Sequence, residues 1–201
     1  KNKKVGLVYS DAIWFNTNNG KEKLSLGRKN KLRGRCFREL LTRYKMTQSS
    51  IIIRRDSLLE QKEWFDINFH LFMDADLYRR IAYYWEIDFV DKPLAKWRIH
   101  ESSATWTSFD KIFIEGKALL NKFSNTFENF DIAYKKEIRF YNSVLHRRKS
   151  MYLWQNKENS KARLVLKKYI FNSTYNFILF FLTFFPYSLY RYFSTNLTIR
   201  I

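Results

Sequence analysis

The sequence predicts an α/β fold, a mixed sheet with flanking helices followed by an all-helical C-terminal extension. Three observations predict it. Short runs rich in β-branched and aromatic residues at 5–10 (VGLVYS), 49–53 (SSIII) and 87–90 (IDFV) alternate with stretches at helical spacing in the first hundred residues, the signature of an α/β layer. Beyond residue 108 the apolar positions keep helical spacing, with no proline before Pro186. The chain has 201 residues, 46% hydrophobic and 19% aromatic, with 5 Gly and 2 Pro, which excludes a disordered chain because enough apolar surface is present to offset chain entropy.

Residues 5–10 read as a buried strand, and 12–15 continue it extended before the turn signal at 16–21 (NTNNGK). A helix over 36–44 (CFRELLTRY) places Phe37, Leu40, Leu41 and Tyr44 on one face. The strand at 49–53 ends at Arg54 and Arg55, and Asp56 is the expected N-cap of a short helix over 57–61. Residues 74–85 (DADLYRRIAYYW) form an amphipathic helix with Leu77, Ile81, Ala82 and Trp85 inward and Arg79 and Arg80 elsewhere. Two acids at its start suit the positive end of the helix dipole. Two strands follow at 87–90 and 94–99, with Pro93 at the turn or strand start between them. Helices are expected over 112–123, 132–154 and 160–170. Residues 169–190 carry no charge, but Pro186 interrupts them and the strongly apolar part is only 177–185. A bilayer span needs about 20 apolar residues, so this stretch is marginal as a span and suited to an aromatic helix lying in the membrane interface. The competing reading is a helix packed in the core.

The formal charge is +18, from 37 Lys and Arg against 19 Asp and Glu, and it calls for an anionic partner. Its distribution narrows the choice. Residues 135–168 hold eleven basic and two acidic residues, a net +9, immediately before the charge-free stretch. An anionic membrane surface is therefore the expected partner in place of nucleic acid. A nucleic-acid-binding module and a noncatalytic, membrane-anchored interaction protein are the alternatives. The single cysteine, Cys36, excludes an intramolecular disulfide and a cysteine-built zinc site. Dinucleotide-binding, P-loop, zincin, serine-hydrolase and CxxC motifs do not occur, which removes those classes on motif grounds.

Among side chains that carry chemistry, Asp74 and Asp76 stand at a helix start, where alternate residues point different ways. One can face a cleft while the other caps or pairs. A carboxylate there can serve as general base toward an acceptor hydroxyl, or simply compensate the dipole. His100 follows a strand and precedes the polar run at 101–105 (ESSAT), a position open to a metal, a phosphate or plain solvent. His70 and His146 read as structural.

In order, the strand VGLVYSDA ending in Ser10 and Asp11, the strand SSIIIRRDSL from Ser49, the helix start MDADLYRRIA from Met73 and the ending PLAKWRIHESSAT from Pro93 resemble family 2 glycosyltransferases, bacterial enzymes of polysaccharide and glycolipid assembly. The resemblance covers roughly residues 5–106. It implies a partial GT-A-like sheet and an inverting transfer of sugar from a nucleotide-sugar donor to a glycan or lipid-linked acceptor. By the same resemblance Asp74 is the catalytic base, Asp76 the second acid of its motif, and Arg80 a support of the acceptor face. His100 matches a loop histidine near the metal or diphosphate, and Asp11 lies near the sugar. Met73 stands where the family usually has an acid, and Tyr78 where it has Trp.

The family's nucleotide-binding strands and metal-binding D-x-D would precede residue 5, so the resemblance implies an acceptor-side half whose divalent cation (Mg or Mn) is held mainly by residues outside this chain. Such a half alone would transfer no sugar, because departure of the nucleotide diphosphate needs its charge stabilised. The expected organisation is an acceptor-side half over 1–106, a basic helical extension over 107–168 and a membrane-associating aromatic tail over 169–201. The location implied is the cytoplasmic face of the inner membrane, with peripheral or single-span attachment.

Overall fold

The computed structural model describes residues 2–17, 20–26, 31–100 and 109–190. They fall into two compact units, Lys1–Ala104 and Thr105–Ile201. The first is a mixed α/β unit and the second is helical.

The sheet of the first unit is built on β1 (Val5–Asn16). β2 (Glu22–Leu24) pairs antiparallel with Ile13–Phe15, and β3 (Ile51–Ile53) pairs antiparallel with Leu7–Tyr9. β4 (Glu86–Ile99) runs parallel to β1 along its whole length. Two antiparallel pairings and one parallel pairing make the sheet mixed, as the apolar runs predict. A central strand needs apolar side chains on both faces, and Leu7, Tyr9 and Ala12 are accordingly buried. The turn after β1 is closed by the Asn16 amide donating to the Lys21 carbonyl at 3.0 Å. Gly20 there has φ +66°, the left-handed region that glycine enters without a side-chain clash.

Residues 86–99 form one strand where the sequence suggests two. Val90 lies opposite Ser10, Pro93 opposite Asp11 and Ala95 opposite Ala12, so residues 91, 92 and 94 bulge out of register. The bulge absorbs a proline that has no amide hydrogen for the ladder, and the strand resumes beyond it.

Around the sheet stand α1 (Phe37–Thr42), α2 (Arg55–Leu59) and α3 (Met73–Tyr84). α1 stops two residues before Tyr44, which leaves that side chain free of the helix face. Arg54, and not Asp56, occupies the N-cap of α2; Asp56 sits in its first turn, where it suits the dipole. The Ser57 hydroxyl ties α2 to the sheet by donating to the Gly6 carbonyl at 2.8 Å. α3 buries Leu77, Ile81 and Ala82 as its spacing predicts. Each fully buried leucine or isoleucine contributes about 1.5–3 kcal/mol. Arg79 and Arg80 are also buried, at 3% and 5% exposure, contrary to the amphipathic reading. Cys36 is buried just ahead of α1, and burial pushes its thiol up to about 12.

The second unit holds α4 (Phe109–Thr126), α5 (Phe130–Ala133), α6 (Lys135–Gln155), α7 (Asn159–Lys167) and α8 (Thr174–Leu182). The helix expected over 132–154 is broken at Tyr134, which leaves helical geometry between α5 and α6. α4 and α6 approach closely at Gly116, where a Cβ would lie 2.5 Å from a Leu145 methyl. Phe123, Phe127 and Phe130 pack ring to ring. A second cluster gathers Leu153, Trp154, Ala162, Leu166 and Leu179 from α6, α7 and α8. The Trp154 indole donates to the Phe185 carbonyl at 2.8 Å.

Among the described residues, no helix is long and apolar enough to cross a membrane. The longest helix of the charge-free stretch is α8, nine residues and about 13 Å, preceded by a short turn at Ile170–Asn172 and followed after Pro186 by helical residues at 187–190.

Candidate active site

α3 starts without a side-chain cap, since Phe72 holds the N-cap position. Its first turn therefore presents the two acids that the sequence singles out, and they have diverged. Asp76 points inward and is fully buried. A carboxylate taken out of water must be paired, and Arg80, one turn on, supplies the partner: Nε and Nη2 donate to Asp76 Oδ2 at 3.0 and 2.9 Å. The remaining donors of Arg80 reach Gln61 Oε1 at 3.0 Å, the Glu63 carbonyl at 2.9 Å and the Trp64 carbonyl at 3.0 Å. All five N–H groups of the guanidinium are thus engaged within the fold, and they pin the segment 61–64 against α3.

Asp74 points the other way and is half-buried. Its Oδ1 accepts from the Ala75 amide at 2.7 Å and its Oδ2 accepts from the Tyr44 hydroxyl at 3.1 Å. Tyr44 is itself held, because the Arg79 guanidinium lies 4.7 Å from its ring centre. Arg79 in turn donates through Nε to the Leu40 carbonyl at 3.1 Å, at the end of α1. This chain from α1 through Arg79 and Tyr44 fixes the carboxylate from a second side. Burial raises the Asp74 carboxyl above its usual range, opposed by the Ala75 amide, the Tyr44 hydroxyl and the Arg79 charge. The same burial holds the Tyr44 phenol well above its ordinary value and pushes Tyr78 up to about 12, with the Asp74 charge adding to both.

The result is a carboxylate held in place by two hydrogen bonds and more basic than a solvated one. Each oxygen retains a lone pair, so it can accept a proton from a third group. Tyr44 and Arg79 are the members that sequence reasoning misses. Tyr44 reads as one more apolar position of α1, and Arg79 as a solvated charge.

Asp11 and His100 belong to the sheet. Asp11 lies within β1, not at its end, and is buried beside the β4 bulge. Its Oδ1 accepts from the Ala12 amide at 2.8 Å, the Ser25 hydroxyl at 3.0 Å and the Leu26 amide at 3.1 Å, which fastens the segment after β2. His100 is exposed and directly follows Ile99, which pairs with Asn16. Five residues of strand separate Asn16 from Asp11, about 17 Å. The run 101–105 lies outside the described residues.

A divalent cation needs several hard ligands converging within bonding distance. Among the described residues no group of three His, Cys, Asp or Glu side chains gathers in that way. The described residues by themselves do not fit a metal centre.

Searches with this sequence and structure find no matching protein-family model, curated protein or solved structure.

Proposed function

We propose that residues 5–106 form the acceptor-side part of an inverting, GT-A-like glycosyltransferase, with Asp74 as the base that activates the acceptor hydroxyl. The reading rests on the family resemblance of the four segments in order and on one structural observation: of the two acids that begin α3, Asp76 is consumed by Arg80 while Asp74 is only half-buried, fixed by two hydrogen bonds and raised in basicity. A base matched to its task needs both a fixed position and a raised proton affinity, and Asp74 has the two together.

In the proposed step the acceptor O–H gives its proton to Asp74, and the oxygen forms a bond to the anomeric carbon of the donor sugar. The bond from that carbon to the nucleotide diphosphate breaks on the opposite face, and its electron pair leaves with the diphosphate. Configuration at the anomeric carbon inverts. Within this scheme Arg80 and Asp76 act as positioning residues, keeping segment 61–64 and the start of α3 in register. Asp11 supports the sheet beneath the sugar, and His100 marks the rim of the donor side. The acceptor class is a glycan or a lipid-linked sugar of cell-surface assembly at the cytoplasmic membrane face.

The test compares the full-length parent polypeptide, carrying a nucleotide-binding half, with its Asp74→Asn variant, measuring transfer of labelled sugar from nucleotide-sugar donors into the lipid and polysaccharide fractions. Loss of a positioned base is expected to lower turnover by about 10²–10⁴-fold, with an unchanged circular dichroism spectrum. Unchanged transfer by a folded Asp74→Asn variant removes Asp74 as the base. No transfer with any donor by a polypeptide that joins these residues to a nucleotide-binding half removes the enzyme reading.

A further inference from the structure

α8 is apolar on two faces: Leu179 packs into the core with Phe180 and Leu182 against it, and a second set of apolar side chains faces outward. On an ordinary surface helix the apolar stripe faces the core and polar residues face water. On α8 and the turn after it, Phe177, Ile178, Phe181, Phe184 and Phe185 recur at stripe spacing, and all five are 42–57% exposed. The opposite side carries Asn176, Leu179 and Thr183, all buried. Asn176 is held there by hydrogen bonds from Nδ2 to the Ser143 hydroxyl at 2.8 Å and the Tyr169 carbonyl at 2.9 Å. Ser173 caps the helix by accepting from the Asn176 amide at 3.1 Å. The orientation is therefore fixed by the core contact of Leu179 and by specific polar bonds, and the aromatic stripe is committed to the outside. A contiguous apolar face of this kind marks an interaction site.

Cations frame that face. The Arg163 guanidinium lies 4.3 Å from the Phe184 ring centre and Arg147 lies 5.0 Å from that of Tyr175. At the other end Arg139 donates to Asn172 Oδ1 at 3.3 Å, next to Phe171, which is 88% exposed. Arg139 also lines a cleft of about 330 Å³ together with Lys135, Lys168 and Tyr169. Eleven basic residues against two acidic ones in 135–168, with Glu158 paired to Lys161, leave the surround strongly positive. Lys117 and His146, both close enough to Lys168 to feel its charge, are driven toward their neutral forms by burial and by their cationic neighbours.

We propose that this aromatic face seats in the interface of an anionic phospholipid bilayer, with the Lys135–Arg139–Lys168 cleft taking lipid phosphate. Phenyl rings enter the acyl boundary while cations at the rim meet the headgroups, the two-signal arrangement that makes interfacial binding stable. A second copy of the chain fits poorly, because a two-fold contact through this face would set one cationic surround against another. Single-stranded nucleic acid fits less well than lipid, because the stripe includes aliphatic Ile178 and carries no charge along 169–190 to follow a phosphate backbone. The proposal is independent of glycosyl transfer and stands or falls separately.

The experiment is co-sedimentation of the full chain with phosphatidylcholine vesicles, with and without phosphatidylglycerol. Binding is expected to require the anionic lipid and to weaken as salt rises. Phe177→Ser with Phe181→Ser, at exposed positions that leave the fold intact by circular dichroism, is expected to weaken binding by on the order of tenfold or more. Arg139→Gln with Lys168→Gln is expected to lower affinity for anionic vesicles and to flatten the salt dependence. No vesicle binding by the wild-type chain, or binding by the phenylalanine variant as tight as wild type, overturns the proposal. So does a dimer that the phenylalanine variant converts to monomer, or release from vesicles by competing RNA.

Discussion

Arg80→Met tests the internal scaffold of the candidate site. Methionine fills much of the arginine stem but leaves Asp76, fully buried, without its cation. Breaking a buried pair from one side costs about 3–5 kcal/mol, because the remaining charge cannot return to water. The bonds to Gln61, Glu63 and Trp64 go as well. Those partners are only partly buried and can turn to water, so the stranded carboxylate dominates the cost. For a chain of this size 1 kcal/mol moves the midpoint by about 2–4 °C, which places the expected loss at about 6–20 °C. Thermal unfolding followed by tryptophan fluorescence measures it, and amide exchange along α3 locates it in the first unit. Adding Asp76→Leu removes the stranded charge and is expected to restore most of the loss, since a buried pair exchanged for apolar side chains is nearly neutral. A drop of less than about 2 °C for Arg80→Met, or no recovery in the double variant, would refute the argument that this pair is coupled and enclosed.

Two further substitutions probe one contact in each unit. Tyr44→Phe deletes a hydrogen bond that lowers the Asp74 pKa, so the Asp74 carboxyl should titrate at higher pH than in the wild type. Because a base acts when ionised, the acid limb of a pH–rate profile should move upward with it, as should the ¹³C chemical-shift titration of Asp74; a downward move in either contradicts the assignment. Gly116→Ala places a methyl against Leu145 and should destabilise the second unit by about 1–3 kcal/mol in urea unfolding, with Leu145→Ala relieving the clash.

The parts that were legible in the sequence are those fixed by local periodicity. β1, β3 and α3 each follow from the spacing of their own apolar residues, and the divergence of Asp74 from Asp76 follows from the two-residue offset at a helix start. The parts that were not legible depend on groups brought together from distant segments. Arg80 is buried because Asp76 and carbonyls from 63 and 64 surround it, and nothing within α3 encodes that cage. Tyr44 leaves the helical face because α1 stops at Thr42, and its partner lies 30 residues on. Pro93 reads as a break because a proline usually is one, whereas the β1 edge continues to pair beyond it. The tail is legible in composition alone: its lack of charge is plain, but which face turns outward is decided by the core contact of Leu179 and by Ser143 and the Tyr169 carbonyl.

The parallel pairing of β1 with β4 has a consequence for synthesis on the ribosome. Val5 meets Glu86 and Asn16 meets Ile99, so each rung joins residues about 80 apart. At about 5–20 residues per second, β1 emerges roughly 4–16 s before the strand that completes it. Through that interval one edge of an apolar strand offers unpaired amides and carbonyls to any other nascent chain. The antiparallel partners β2 and β3 arrive first and occupy the opposite edge at either end. The late edge is thus where growing chains are most exposed to mispairing, and where a chaperone would have most to shield.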